Sequence, residues 1–225
     1  MLLREVREKI LDISHKLIQD RVISNGQGNL SYYDRESGYI AITPSAVPYE
    51  DRGVEDICVI DLDETLIEGN WKPTSEIALH MVYYRNRSDI QAVVHTHAPY
   101  ATIFGIIGEE SMPMVLNEAA MGLGGAVPVA PYARPGTETL AEVTFKATGK
   151  GIAVIMAHHG LVTLGVTLDE AYVATAAAEH TARALYRVRS MGVKAKVLSQ
   201  SEVKTLREMY LKYAPRPSQS GGNGG

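Results

Sequence analysis

Apolar residues are spaced along this chain in two rhythms, one near 3.6 residues and one of two. Val6, Ile10, Ile13 and Leu17 recur at helical steps and predict an amphipathic helix at the start. His15 falls off that stripe and is expected to face solvent. Asn25-Gly26-Gln27-Gly28-Asn29 is expected to end the helix, with two glycines able to take positive φ. Residues 30–33 and 39–43 then predict a hairpin around residues 34–38. A proline-containing loop over 44–48 leads to a strand near 57–61, and Glu68-Gly69 reads as a turn. Thr74 is the expected N-cap of a helix running to about Arg87, with Ile77, Met81 and Tyr84 on one stripe.

The second half repeats the alternation. Ala92-Val93-Val94 is a buried strand by its β-branched run, followed by a short helix over 99–107. A strand is expected over 126–132, a helix over 137–148, a strand over 152–157 and its hairpin partner over 161–165. Thr167-Leu168-Asp169-Glu170 and Ser199-Gln200-Ser201-Glu202 are capping boxes. The first opens an Ala-rich helix that Gly192 ends, the second a last helix to about Tyr213, which Pro215 and Pro217 stop. Helices alternating with hairpins predict an α/β fold whose sheet is mostly antiparallel or mixed, not doubly wound and parallel. With no internal repeat or linker, residues 1–217 read as one domain and the apolar-free 218–225 as a disordered tail.

Composition narrows the function. The chain has 225 residues, 45% hydrophobic and 21% charged, with net charge −4, so it offers no basic field for nucleic acid or an anionic membrane. No apolar run is long enough for a membrane span, and the charged start does not fit a signal peptide. Cys58 is alone and sits in an apolar strand, where it reads as a buried structural thiol. A cytoplasmic protein is the expectation.

The chemistry gathers at strand ends. His95 and His97 follow the strand at 92–94, and residues two apart share a face, so both imidazoles aim at one point suited to a divalent metal such as Zn²⁺. A second apolar strand ends in His158-His159-Gly160, which offers a third ligand. Glu76, in Lys72-Pro73-Thr74-Ser75-Glu76, offers a carboxylate. His80 reads as structural and His180 as surface or interface.

Six motifs then fall in order: Gly28-Asn29-Leu30-Ser31, Ile42-Thr43-Pro44-Ser45, Lys72-Pro73-Thr74-Ser75-Glu76, Val94-His95-Thr96-His97, Ala130-Pro131-Tyr132 and His158-His159-Gly160. Together they resemble the class II aldolase/adducin family, over roughly residues 4–213. The resemblance implies a three-layer α/β/α fold, a Zn²⁺ (or another divalent metal) on His95, His97 and His159, and Glu76 as general acid/base. It implies a phosphate pocket at Gly28, Asn29, Ser45, Ala46, Thr74 and Ser75, whose amides and hydroxyls suit an oxyanion. It also implies a homotetramer with shared sites, and a tyrosine closing over the substrate that aligns with Tyr213. Asn117-Glu118 departs from the His-Tyr of the family's fuculose-phosphate enzymes, which bears on the substrate.

The activity expected from the resemblance is a metal-dependent aldolase cleaving a phosphorylated ketose, similar to L-fuculose 1-phosphate, to dihydroxyacetone phosphate and an aldehyde. The alternative is an L-ribulose-5-phosphate 4-epimerase, or another sugar-phosphate lyase or decarboxylase of the family. Epimerases resembling this chain carry aspartate where Glu76 stands, which favours the aldolase.

Overall fold

In the computed structural model the described residues are 1–24, 26–45 and 47–213. Ala46 and the tail at 218–225, with Pro215 and Pro217, lie outside them. One nine-stranded sheet runs β4-β3-β2-β1-β5-β9-β8-β7-β6, where β1 is Asn29–Asp34, β2 Tyr39–Ile42, β3 Cys58–Ile60, β4 Leu66–Glu68, β5 Ala92–Thr96, β6 Ser111–Met112, β7 Val127–Ala130, β8 Ala153–Met156 and β9 Gly160–Gly165. Every described pair is antiparallel except β7 with β8, joined in parallel across helix α5 (Glu138–Thr148). The mixed, mostly antiparallel sheet is the one the alternation predicts.

Helices cover both faces. One core packs α1 (Arg4–Gln19), α3 (Pro99–Ile106), α4 (Asn117–Leu123), α6 (Leu168–Ser190) and α7 (Gln200–Tyr213) against sheet residues such as Leu30, Val94 and Ile155. The other packs α2 (Ile77–Asn86) and α5 against Ile40, Ile42, Val93, Val154 and Val162. The alternation of Val93 and Val94 between the two cores places His95 on the α2 side, since it is two residues from Val93. Both capping boxes open their helices: Thr167 Oγ1 accepts the Glu170 N–H at 3.1 Å, and Ser199 Oγ the Glu202 N–H at 3.2 Å. None of the described helices is long and apolar enough to cross a membrane.

Three local expectations need correction, and one stretch holds elements that were not predicted. Helix α1 ends at Gln19, well before the glycines, because Arg21 takes a left-handed φ of 58°. Val22 N–H then bonds Leu17 O and Arg21 N–H bonds Ile18 O, a Schellman stop made without glycine. Glu68-Gly69 is not the turn: Leu66–Glu68 is the edge strand, and the chain reverses at 61–65, where Asp61 Oδ1 accepts the N–H groups of Asp63 and Thr65. Thr74 is not the N-cap of α2. Glu76 holds that position, and Thr74 Oγ1 accepts the Glu76 N–H at 3.3 Å. Finally, α4 and the short β6 lie in a stretch with no predicted element.

Candidate metal centre and its cavity

His95, His97 and His159 bring one ligand nitrogen each to within 4.8 Å of one another. Their ring centroids are 4.8–5.1 Å apart. His95 is next to last in β5, on the α2 face, and is fully buried. His97 follows just before α3, whose start is anchored from α6: the Glu179 carboxylate accepts the N–H groups of Tyr100 and Ala101. Ala98 at the N-cap has no acceptor of its own, so this distant carboxylate satisfies those amides. Burial pushes the Glu179 carboxyl up, against the pull of the two amides.

His159 is delivered by the tight β8–β9 hairpin, in which Met156 pairs with Gly160. The hairpin turns through His158, at φ 57°, which is exposed and outside the ligand cluster. Gly160 is required there, because a Cβ would collide with the Thr96 carbonyl and lie 3.1 Å from His95 Cε1. Gly28 packs the other side of the same strand end: at φ 76°, a Cβ there would come within 2.6 Å of the His95 carbonyl. Two glycines of the sequence motifs thus close the backbone around His95.

Glu76 completes the cluster. Its Oε2 lies 3.1 Å from His95 Nε2 and its Oε1 3.4 Å from His159 Nε2. His95 Nδ1 faces the Leu161 carbonyl at 3.1 Å, so Nδ1 carries the hydrogen and Nε2 presents a lone pair. A lone pair facing a carboxylate oxygen at this range calls for a cation between or beside them. Glu76 Oε1, His95 Nε2 and His159 Nδ1 are buried without hydrogen-bond partners. The three imidazoles of His95, His97 and His159, gathered beside this carboxylate, fit a divalent metal. Burial raises the Glu76 carboxyl, and the Asn29 amide that donates to Oε2 pulls it back down. Burial, with the neighbouring imidazoles, depresses His97 to about 4, and burial and His95 lower His159, so both favour the neutral form that binds metals.

The cluster opens into a cavity of about 600 Å³. Gly28, Asn29, Ser45, Thr74 and Ser75 line it together with Glu76, His97 and His159. Two loops far apart in sequence are zipped to make its wall: Ser45 N–H bonds Lys72 O, Thr74 N–H bonds Thr43 O, and Pro44 bridges Pro73. Tyr213 ends α7 at 75% exposure and is not among the residues lining this cavity. Asn117 and Glu118 open α4, exposed and also outside the lining. His180 is exposed, and Cys58 is buried, its thiol pushed up to about 11 chiefly by that burial.

One charged residue of the cavity went unread in the sequence. Arg52 is 8% exposed, stacks on Tyr49 at 3.7 Å and donates Nε to the Val47 carbonyl at 2.8 Å. Its Nη1 is buried without a partner. Set among Glu50, Asp51, Glu55 and Asp56, it looks like part of a solvated charge run. The only local signal was Tyr49, three residues back, whose hydroxyl also donates to the Gly28 carbonyl at 2.9 Å.

Known proteins share this arrangement over nearly the whole chain. Residues 8–186 match the family profile of the class II aldolase and adducin N-terminal domain. A 5-deoxy-D-ribulose 1-phosphate aldolase from Bacillus thuringiensis serovar kurstaki is 36% identical over 213 residues, covering 95% of this chain and 99% of its own. The L-fuculose phosphate aldolase of Escherichia coli K12 is 30% identical over 212 residues, covering 94% and 97%. A solved L-fuculose 1-phosphate aldolase superposes with a TM-score of 0.87 at 31% identity, covering 92% of this chain and 96% of that one. With the match spanning the sheet and the three histidines gathered at its strand ends, the chain belongs to the class II aldolase and adducin family, as a metal-dependent aldehyde-lyase.

Proposed function

We propose that this enzyme reversibly cleaves a ketose 1-phosphate to dihydroxyacetone phosphate and an aldehyde. The substrate class is that of L-fuculose 1-phosphate and 5-deoxyribulose 1-phosphate, the sugars in the names of its relatives. The observation that carries the reading is the single cavity joining Glu76, His97 and His159 to amides, hydroxyls and a buried guanidinium suited to a phosphate.

In this reading Ser45, Thr74, Ser75 and the Gly28–Asn29 turn hold the phosphate. Arg52 balances its charge from behind. A divalent metal on His95, His97 and His159, taken as Zn²⁺, supplies a Lewis acid for the negative charge that gathers on the ketose oxygens as the carbon–carbon bond breaks. Glu76 takes the proton of the hydroxyl that becomes the aldehyde carbonyl and returns it to the carbon that kept the bonding pair, and the synthetic direction reverses both transfers. A homotetramer and Tyr213 belong to the same proposal. Tyr213 lies outside its own chain's cavity, so it serves a site only where the end of α7 lies over a neighbouring subunit.

The test is a coupled reductase assay for triose phosphate across a panel of phosphorylated ketoses. Release of dihydroxyacetone phosphate from L-fuculose 1-phosphate or 5-deoxyribulose 1-phosphate is expected. Rapid interconversion of L-ribulose 5-phosphate and D-xylulose 5-phosphate, with no triose phosphate from any ketose 1-phosphate, would make the protein an epimerase. The pocket has its own test. Arg52→Met is expected to raise KM for the phosphorylated substrate about 10- to 100-fold, the worth of one bond to a charged group, with kcat changed little. An unchanged KM removes Arg52 from phosphate recognition.

A further inference from the structure

Behind Glu76 an unbroken chain of buried hydrogen bonds crosses from α2 to β1 and back. Asn29 Nδ2 donates to Glu76 Oε2 at 3.0 Å. Asn29 Oδ1 lies 2.5 Å from His80 Nε2, His80 Nδ1 lies 2.6 Å from Ser31 Oγ, and Ser31 Oγ lies 2.5 Å from the Tyr84 hydroxyl. His80 and Ser31 are fully buried, and Asn29 and Tyr84 nearly so. The strand pairing sets this up: Asn29 sits opposite His95 across β1 and β5, while His80 and Tyr84 are one turn apart on α2.

Chemistry gives the chain one direction. An ionised carboxylate only accepts, so Asn29 must turn its NH₂ to Glu76 and its carbonyl to His80. That carbonyl also only accepts, so His80 Nε2 must carry the hydrogen. A neutral imidazole has one N–H, so Nδ1 accepts from the Ser31 hydroxyl, and Ser31 in turn accepts from Tyr84. Burial keeps His80 neutral, pressing its pKa down to about 3, and pushes the Tyr84 hydroxyl well above its ordinary range. Every member is satisfied in this one arrangement.

We propose that His80 is a positioning residue for catalysis: held as its Nε2–H tautomer, it locks the Asn29 amide onto Glu76 Oε2 and leaves Oε1 as the oxygen that moves the proton. This rests on the reading of Glu76 as the proton carrier. Oε1 is buried, has no hydrogen-bond partner and borders the cavity through His159. Without a donor at position 80, the Asn29 carbonyl is stranded in the interior. The amide then relaxes by turning from Glu76, whose carboxylate loses its fixed orientation.

Two measurements on the metal-loaded, full-length enzyme test this. Nitrogen-15 correlation spectra of the histidine rings are expected to show His80 as the neutral Nε2–H tautomer from pH 5 to 9; the Nδ1–H tautomer overturns the proposal. This experiment needs no turnover, so it stands even if no ketose phosphate proves to be a substrate. In kinetics, His80→Phe is expected to lower kcat about 10- to 100-fold, with KM and metal content within about twofold of wild type. His80→Gln, whose side-chain amide presents a donor where Nε2 was, is expected to recover most of that loss. Full kcat in His80→Phe overturns the role, as does equal loss in both variants accompanied by loss of metal, which would mark His80 as structural only.

Discussion

His95→Ala is expected to empty the metal centre and abolish turnover. His95 is the ligand the fold holds most rigidly. It lies next to last in the central strand, is fully buried, and is aimed by its Nδ1–H bond to Leu161. Loss of an outer partner of a metal ligand costs about 10- to 100-fold in affinity, and loss of the ligand itself costs more. Elemental analysis should fall from near one divalent ion per chain to a small fraction, and activity should fall at least as far. Truncation also leaves the Leu161 carbonyl without its donor, at a cost of about 1–3 kcal/mol, which a sheet buried on both faces tolerates. Circular dichroism should therefore report a folded protein. Metal retained at full stoichiometry in this variant would falsify the site.

Glu76→Gln is expected to separate metal binding from proton transfer. The substitution keeps size and shape but removes the group able to take and return a proton. The three histidines remain, so most of the metal should stay, while turnover falls by about 10²-fold or more. KM should change little, because Glu76 is committed to His95, His159 and Asn29 and leaves phosphate recognition to the zipped loops. Near wild-type turnover would take Glu76 out of the mechanism. Loss of metal together with activity would make it a ligand first. The His95→Ala and Glu76→Gln variants differ in which of metal and activity is lost, so the pair tests the division of labour directly.

The sequence alone, through local rules, determined much of this protein. Strand alternation aimed His95 and His97 at one point, because period two is a property of the backbone. Thr167 and Ser199 announced their helices, because a capping side chain reaches only three residues. The order of helices and hairpins implied a mixed sheet, and the six motifs implied the family. Where a boundary depended on an unusual conformation of an ordinary residue, the local rules gave no sign. Arg21 ends α1 in the left-handed region without the glycine that normally marks it.

Tertiary structure decided the site itself. That His159, not His158, joins the cluster follows structurally from the β8–β9 turn, in which His158 takes the left-handed position and points away. That Asn29 meets Glu76, and His80 meets Asn29, follows from the antiparallel register of β1 on β5 and the packing of α2 over that face. The bonds between the loops at 43–45 and 72–74 join segments some 30 residues apart, and only they turn two unremarkable hydroxyl-bearing turns into one wall. Arg52 reads as a surface charge until the fold buries it against Tyr49. Each of these depends on which distant backbone groups pair, and pairing is settled by burial over the whole sheet, which no short stretch of sequence contains.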